Sequence, residues 1–387
     1  MPERNRLRIL LTGATGALGP QVAAELLATG DVGRIDVLVR STAALSAAQR
    51  FERWVERVAA IRPSGEILDT TRLNLLVGDV GEVGLGLDPT DRRELASDVD
   101  AVVHAAADTR FRGPAETQWN VNVDGTRHVL EFAADCRQLT KIILVSTVCV
   151  AGAATGIITE TSAERPPAFI NYYEQTKWTA ERLALASGLP VQIARVSIVM
   201  GSHETGEVHR MGALHHVLRW YGSGLIPTMP GTAQTTVDLI PAETAGRFLA
   251  RAAVDPRAES AIWHVAAGLR AAPLKEVLAR ILECFATGRP ALRAADDAEP
   301  QIVGGRAFER IRKAVAGKGD RVMSQLMESI DSFLPGLLYP RTFDTTQAEL
   351  FWGGPLPLED WRQTLTRVID FIKPQGRQRT PARVEVA

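Results

Sequence analysis

Cysteine, lysine and net charge are all scarce in this sequence of 387 residues, and each shortage excludes something. The three cysteines, Cys136, Cys149 and Cys284, form no C-x-x-C pair and are odd in number, so reduced thiols in a cytoplasmic protein are expected rather than a disulfide framework. A formal charge of −1 leaves no global field that would favour nucleic acid or an acidic membrane. No stretch approaches the roughly 18–20 apolar residues of a membrane span. The apolar run after the N-terminal arginines is too short for a secretory h-region and leads straight into a glycine turn. A soluble protein with no membrane span and no nucleic-acid partner is the expectation. Arginine greatly outnumbers lysine, which makes Lys177 one of few lysines in the chain.

What is present is an alternation. Apolar runs at 7–11, 35–39, 73–77, 101–104, 141–146, 191–196 and 261–266 are mostly continuous Val, Ile, Leu and Ala, as in strands buried on both faces of a parallel sheet. Helical patterns at 17–29, 43–61, 114–135, 172–187 and 241–253 lie between them. The pattern predicts an α/β fold, a doubly wound parallel sheet of the Rossmann kind with a smaller, mainly helical C-terminal substrate lobe. Residues 1–200 and 236–268 read as an NADP-binding domain, 201–235 and 269–373 as the lobe, and 374–387 as a disordered tail. Within the lobe, helices are expected near 208–221, 273–286, 305–316 and 320–331, with a polar break at 287–300.

Two motifs carry chemistry. Leu7–Thr12 runs into Gly13-Ala14-Thr15-Gly16-Ala17-Leu18-Gly19, a strand, a glycine turn and a helix start near Ala17. Such a turn brings free backbone N–H groups and the positive helix end to a dinucleotide pyrophosphate. Tyr173 stands four residues before Lys177, so both project from one helix face. A nearby ammonium lowers a phenol's pKa, and Tyr173 could then pass a proton to a carbonyl oxygen as hydride arrives at carbon. At the end of the 141–146 strand, Thr147 either hydrogen-bonds the substrate oxygen or is an ordinary strand end. Asn122, unusual inside a helix, holds a water or a backbone carbonyl near Lys177, or marks a kink.

The chain resembles the extended short-chain dehydrogenases/reductases in Thr12–Gly19, Gly78-Asp79-Val80, His104–Ala107, Asn122–Thr126, Val145-Ser146-Thr147 and Tyr173-x-x-x-Lys177. It is most similar to the branch of thioester reductase domains and fatty acyl-CoA reductases, through Leu85-Gly86-Leu87, Asn171–Trp178, Arg195–Gly201 and the helical insert with Ala47-x-x-Arg50. The likeness spans roughly residues 7–265, with only Phe343-Asp-Thr-Thr346 matching beyond. The resemblance implies Thr147, Tyr173 and Lys177 as the catalytic set with Asn122 in support. It also implies that Lys177 binds the nicotinamide ribose, Asp79 and Val80 flank the adenine, and Ala105, Ala106 and Ala107 run beneath the cofactor. Thr176 stands where the family usually has serine and Val196, also expected on the cofactor wall, where it has proline. No adenylation domain or carrier Asp-Ser-Leu site is recognisable, so a thioester is expected to arrive on a separate acyl carrier protein or on coenzyme A.

NAD enzymes usually place an acidic residue at the end of strand two for the ribose hydroxyls. Here that strand ends Val39-Arg40-Ser41, and Asp36 comes too early. A guanidinium suits a 2′-phosphate, so NADPH is expected, with Arg40 the main contact and Arg50 a second. His203, His209, His215 and His216 share one insert without cysteine or aspartate at ligand spacing, so no metal is expected; His209 and Arg210 suit a phosphate-bearing substrate instead. Trp119, Phe111 and Trp220 are candidates to line an acyl channel, and 333–339 is a hydrophobic lid or lobe core. Three functions compete: an NADPH-dependent reductase of an acyl thioester giving aldehyde or alcohol, a stand-alone dehydrogenase or ketoreductase on a small carbonyl, and a non-catalytic NADP-binding regulator.

Overall fold

Seven strands form one parallel sheet: β1 (Leu7–Thr12), β2 (Val32–Val39), β3 (Leu73–Val77), β4 (Ala101–His104), β5 (Lys141–Thr147), β6 (Val191–Val196) and β7 (Ala261–Val265). Their spatial order is β7-β6-β5-β4-β1-β2-β3. The computed structural model describes residues 6–373 apart from 62, 66, 162–164, 227, 258–260, 287–300 and 317–333. The expected helix at 320–331, the break at 287–300 and the tail at 374–387 therefore lie outside the described residues.

The strands fall where apolar runs predict them because the middle of the sheet is covered on both faces. Along β1, Ile9 and Leu11 join one core cluster with Val22, Leu26, Trp54 and Phe248. Leu10, pointing the other way, joins a second with Leu95, Phe132, Leu144 and Ile193. The first layer is supplied by α1 (Gly19–Ala28), α2 (Ala47–Ala60) and a helix at Ala242–Val254; the second by α3 (Pro89–Asp98), α4 (Gly125–Ala134) and α5 (Tyr172–Ala186). A third cluster, including Met200, Leu214, Leu218, Leu278, Ile281, Leu365 and Ile369, sits under the helices Ala213–Gly222, Leu274–Ala286 and Trp361–Ile372. Each fully buried aliphatic side chain contributes roughly 1.5–3 kcal/mol, so the sheet is a rigid platform for whatever stands on its edge.

The winding order of the sheet reverses at β1, which pairs in parallel with β2 on one side and β4 on the other. A crevice opens beyond the carboxyl ends of strands at such a switch point, and ligands bind there.

Three departures from the sequence reading have local causes. The helix expected over 114–135 is interrupted: a short helix at Ala115–Gln118 passes through a π-helical turn at Trp119–Asp124 before α4 begins. The 208–221 helix starts only at Ala213, after Gly212 in an extended conformation. α3 carries no periodic signal in sequence, since PTDRRELASD buries only Leu95 and Ala96 and shows no apolar stripe; Asp88 caps it by accepting from the Thr90 N–H at 2.8 Å.

Candidate active site

The glycine turn is shaped by what it touches. Gly13 has φ +72°, and a Cβ there would lie 2.3 Å from the Ala105 carbonyl carbon and the Ala106 nitrogen. Glycine thus lets the turn after β1 abut the chain leaving β4. Beside it the Thr12 hydroxyl lies 2.7 Å from His104 Nδ1, across the β1–β4 register, and His104 Nε2 lies 3.2 Å from the Thr126 hydroxyl. Burial, helped by the charge of Lys177, pushes the imidazole down to about 3, so His104 is a neutral brace between two hydroxyls.

At the other end of the crevice, Gly78-Asp79-Val80 is held by a second loop. Asp79 N–H donates to the Leu85 carbonyl at 2.9 Å. Leu85 is fully buried at φ +64°, the left-handed region, and is the only non-glycine there among the described residues. That conformation costs about 1–2 kcal/mol, offset by burial of the side chain against Leu38 and Val80. Arg40 Nη1 stands 3.3 Å from Asp79 Oδ2 and is 58% exposed. Arg50 donates through Nη2 to the Thr15 hydroxyl at 2.8 Å and through Nη1 to the Arg40 carbonyl, tying α2 to the glycine turn. Asp36 is buried and held by Arg8 at 2.6 Å, Arg34 at 2.9 Å and Asn74 at 2.7 Å, which leaves it no part in ribose binding.

Between these ends stand the hydroxyl, phenol and ammonium groups. Asn171 caps α5 by accepting from Glu174 N–H at 2.9 Å, and the Glu174 carboxylate returns to accept from Ile170 N–H at 2.8 Å. This reciprocal cap sets Tyr173 in the first turn of α5, with Lys177 one turn on. The Thr147 hydroxyl, at the tip of β5, accepts from Cys149 N–H at 3.1 Å and stands beside the Tyr173 phenol, whose ionised form it favours. Phe111 meets the Tyr173 ring edge-on, centroids 5.4 Å apart. The expected lowering of the phenol pKa does not occur: burial, with Cys149 and Glu174 adding to it, raises the phenol, and only Thr147 opposes. Tyr173 is held as the proton-bearing form. Lys177 Nζ instead donates to the Val145 carbonyl at 2.8 Å, and burial lowers it to about 8 against the favourable charge of Glu181.

Asn122 lies in the π-turn, away from the crevice wall. Its Oδ1 accepts from Asp108 N–H at 2.7 Å, and its Nδ2 donates to the Asp108 carbonyl at 3.1 Å and the Thr176 hydroxyl at 2.9 Å. It is a positioning residue that fastens the chain after β4 to the residue beside Lys177. The kink and the backbone clamp, offered above as alternatives, are one feature.

Behind α5 is a network that sequence reasoning missed. Glu181 accepts from Ser146 Oγ at 2.5 Å and forms a buried bidentate pair with Arg195 Nε and Nη2 at 3.0 and 2.8 Å. Arg195 in turn faces His264 Nε2 at 3.3 Å. The partners lie on α5, β5, β6 and β7, and no short-range spacing reveals them.

The crevice, about 370 Å³, is lined by Gly13, Thr15, Gly16, Ala17, Leu18, Gly19, Arg40, Arg50, Asp79, Val80, Ala105, Ala106, Ala107, Thr147, Tyr173, Lys177 and Val196. Phe111 and Arg210 also line it; Trp119 and Trp220 do not, and Trp220 packs on His216 in the lobe. His209 lies 3.3 Å from Glu207, His203 Nδ1 lies 2.8 Å from the Thr364 hydroxyl, and His215, which lines the crevice, is held by the Met200 carbonyl 2.7 Å from its Nε2. In the 333–339 segment, Leu337 and Tyr339 line a smaller adjoining cavity, while residue 333 lies outside the described residues. A dinucleotide fits the crevice: the cradle at Gly13 excludes a Cβ, α1 starts at the turn, and two guanidiniums stand at the strand-two end.

Switch-point crevice, glycine turn and Tyr–Lys helix together define an NAD(P)-dependent oxidoreductase of the extended short-chain dehydrogenase/reductase type. The model of the NAD-binding family described as male sterility protein matches residues 11–249, more than half of the chain, and the chain belongs to that family, in its thioester-reductase-like branch. It is 34% identical to the isonitrile lipopeptide synthase of Streptomyces coeruleorubidus over 229 residues, 57% of this chain and 15% of the synthase. It is 25% identical to a fatty acyl-CoA reductase of Drosophila melanogaster over 281 residues, 64% of this chain. The match spans about half of that reductase, 54%. Among solved structures, the terminal R domain of the myxalamid PKS-NRPS pathway shares the fold with a TM-score of 0.75 at 23% identity, over 95% of this chain and 90% of that one. A thiolation-reductase di-domain of an archaeal non-ribosomal peptide synthetase gives 0.70 at 20% identity, over 95% and 75%.

Proposed function

We propose that the chain reduces the carbonyl of an acyl thioester, carried on coenzyme A or a separate carrier protein, with NADPH as reductant. The observation that carries the reading is the convergence of Thr147, Tyr173 and Lys177 on the crevice that begins at the glycine turn. The names of the relatives, fatty acyl-CoA reductase and reductase domain of peptide synthetases, favour a thioester over other carbonyls.

When bound, the reduced nicotinamide supplies a hydride to the carbonyl carbon. The residues of the chain do the rest. Gly13 to Gly19 and the start of α1 hold the diphosphate, Asp79 and Val80 flank the adenine, and Ala105 to Ala107 with Val196 form the wall beneath. Lys177 binds the ribose and Asn122 keeps the chain after β4 in register with α5. Tyr173, a protonated phenol, gives its proton to the substrate oxygen, and Thr147 donates a hydrogen bond to the same oxygen while charge develops there. Loss of the thiol from the resulting tetrahedral adduct leaves the aldehyde. The balance is one thioester, one NADPH and one proton to one aldehyde, one thiol and NADP⁺; a second NADPH and proton would give the alcohol.

NADPH is favoured over NADH because Arg40 and Arg50 stand at the end of β2 where an acidic residue would bind the ribose hydroxyls of NAD. Residues 1–200 with 236–268 hold the cofactor in this reading, and 201–235 with 269–373 shape the substrate end. The test is NADPH oxidation with acyl-CoA thioesters, aldehydes and ketones, products identified by mass spectrometry. Turnover of ketones with no thioester reduced would replace this reading with a ketoreductase; no turnover of any carbonyl would leave a cofactor-binding regulator.

A further inference from the structure

Beyond Phe111, Cys149, Ser197 and Ile198, which line both spaces, the crevice adjoins a second cavity of about 70 Å³. At roughly 10–15 Å³ for one water, this is room for about five to seven water-sized groups. Its wall mixes apolar side chains, among them Val148, Ile198, Val237 and Leu337, with charged ones. Glu174, on the residue next to the Tyr173 phenol, is only 3% exposed and lines it, as does Arg341.

Capping of α5 does not use up this carboxylate. Oε2 accepts from Ile170 N–H at 2.8 Å, but Oε1 has only the Asn171 amide at 3.5 Å, beyond a normal N–H···O bond. Arg341 gives its Nη1 to the Gly152 carbonyl, and among the described residues no ion pair joins it to Glu174, which feels its charge from further off. Burial accordingly raises the Glu174 carboxyl to about 7, with the Ile170 N–H, Arg341 and Asn171 only partly offsetting it. A buried acceptor with unfilled lone pairs is costly unless something completes it.

We infer that the second cavity takes the acyl end of the thioester and selects a short acyl group bearing a hydrogen-bond donor, an amine or a hydroxyl, received by Glu174 Oε1. The inference rests on the thioester reading and narrows its substrate class. A long unbranched acyl chain has neither the room nor a partner for the carboxyl.

The test compares S-acyl-4′-phosphopantetheines, the arm common to coenzyme A and carrier proteins, with butyryl, 3-hydroxybutyryl, β-alanyl and dodecanoyl groups. The donor-bearing substrate that fits is expected to exceed butyryl in kcat/KM by roughly 2- to 10-fold, the range of a net hydrogen bond, with dodecanoyl lowest. The β-alanyl and 3-hydroxybutyryl arms separate amine from hydroxyl. Glu174→Gln keeps an acceptor for Ile170 N–H and is expected to collapse the preference for the amine toward one; the ratio is read within one variant, so a general loss of activity does not affect it. Equal use of all short groups, dodecanoyl as the best substrate, or an unchanged ratio in Glu174→Gln would overturn the inference and leave thioester reduction standing. Reduction of none of the four would overturn both.

Discussion

Removing one partner of the Glu181–Arg195 pair should destabilise the whole domain by an amount that can be stated in advance. Both side chains are essentially inaccessible, 2% and 1% exposed. Glu181→Gln leaves the Arg195 charge facing His264 with no counter-charge, and Arg195→Met leaves Glu181 with the Ser146 hydroxyl and the more distant charge of Lys177. Breaking a buried pair in this way costs about 3–5 kcal/mol. With an unfolding entropy of about 2.1 cal/mol/K per residue, 387 residues give about 0.8 kcal/mol/K, so each single variant should lose about 4–6 °C in Tm. The double variant Glu181→Gln/Arg195→Met removes both charges together and should lose much less than the sum of the singles. Urea or thermal unfolding of the four proteins closes the cycle. Singles within about 0.5 kcal/mol of the parent, or strictly additive losses, would refute the pair as the support under α5. The cycle also has a functional readout, since the Glu181 charge supports the Lys177 ammonium: Glu181→Gln should move the alkaline limb of activity to lower pH.

Other consequences can be checked separately. Tyr173→Phe should lower kcat by about 10²–10⁴ with little change in NADPH affinity, the usual contribution of a positioned acid, and an unaffected rate would remove the phenol from its role. Arg40→Ala should reduce the NADPH-over-NADH preference by roughly 10- to 100-fold, the worth of a charge-assisted pair, and an unchanged ratio would place the 2′-phosphate elsewhere. Because Lys177 sits at about 8, below its ordinary 10.5, kcat/KM should fall as pH rises through about 8. Stability has the opposite sign in that window: between about 8 and 10.5 the unfolded lysine binds a proton that the folded one does not, so this residue favours folding more as pH rises. A flat rate profile to pH 9.5 would contradict a required ammonium.

Most of the platform was legible because it rests on local regularities. β1, β4 and β6 are covered on both faces and therefore read as largely apolar runs, interrupted by Arg8 in β1 and by Gln192 and Arg195 in β6, and Gly13 and the Tyr173–Lys177 spacing each follow from a single contact or a single helical turn. What escaped depends on distant partners. The direction of the Tyr173 shift is set by burial under Phe111 and Cys149, which no spacing reports, so proximity to Lys177 gave the wrong sign. The π-turn at Asn122 exists because its amide answers Asp108 and Thr176, 14 and 54 residues away. Leu85 in a left-handed conformation looks in sequence like any leucine between glycines. The free face of Glu174 could not be read at all, since a glutamate three residues after an asparagine signals only a helix cap.

The central claim is that hydride from NADPH reaches the carbonyl carbon of a thioester. It is tested most directly with NADPH deuterated at C4, an acyl-phosphopantetheine and a reagent that traps aldehyde. One deuterium on the aldehyde carbon with an equal amount of free thiol is the predicted result. Thiol release without deuterium in the product, or deuterium found only in alcohols formed from added ketones, would contradict it.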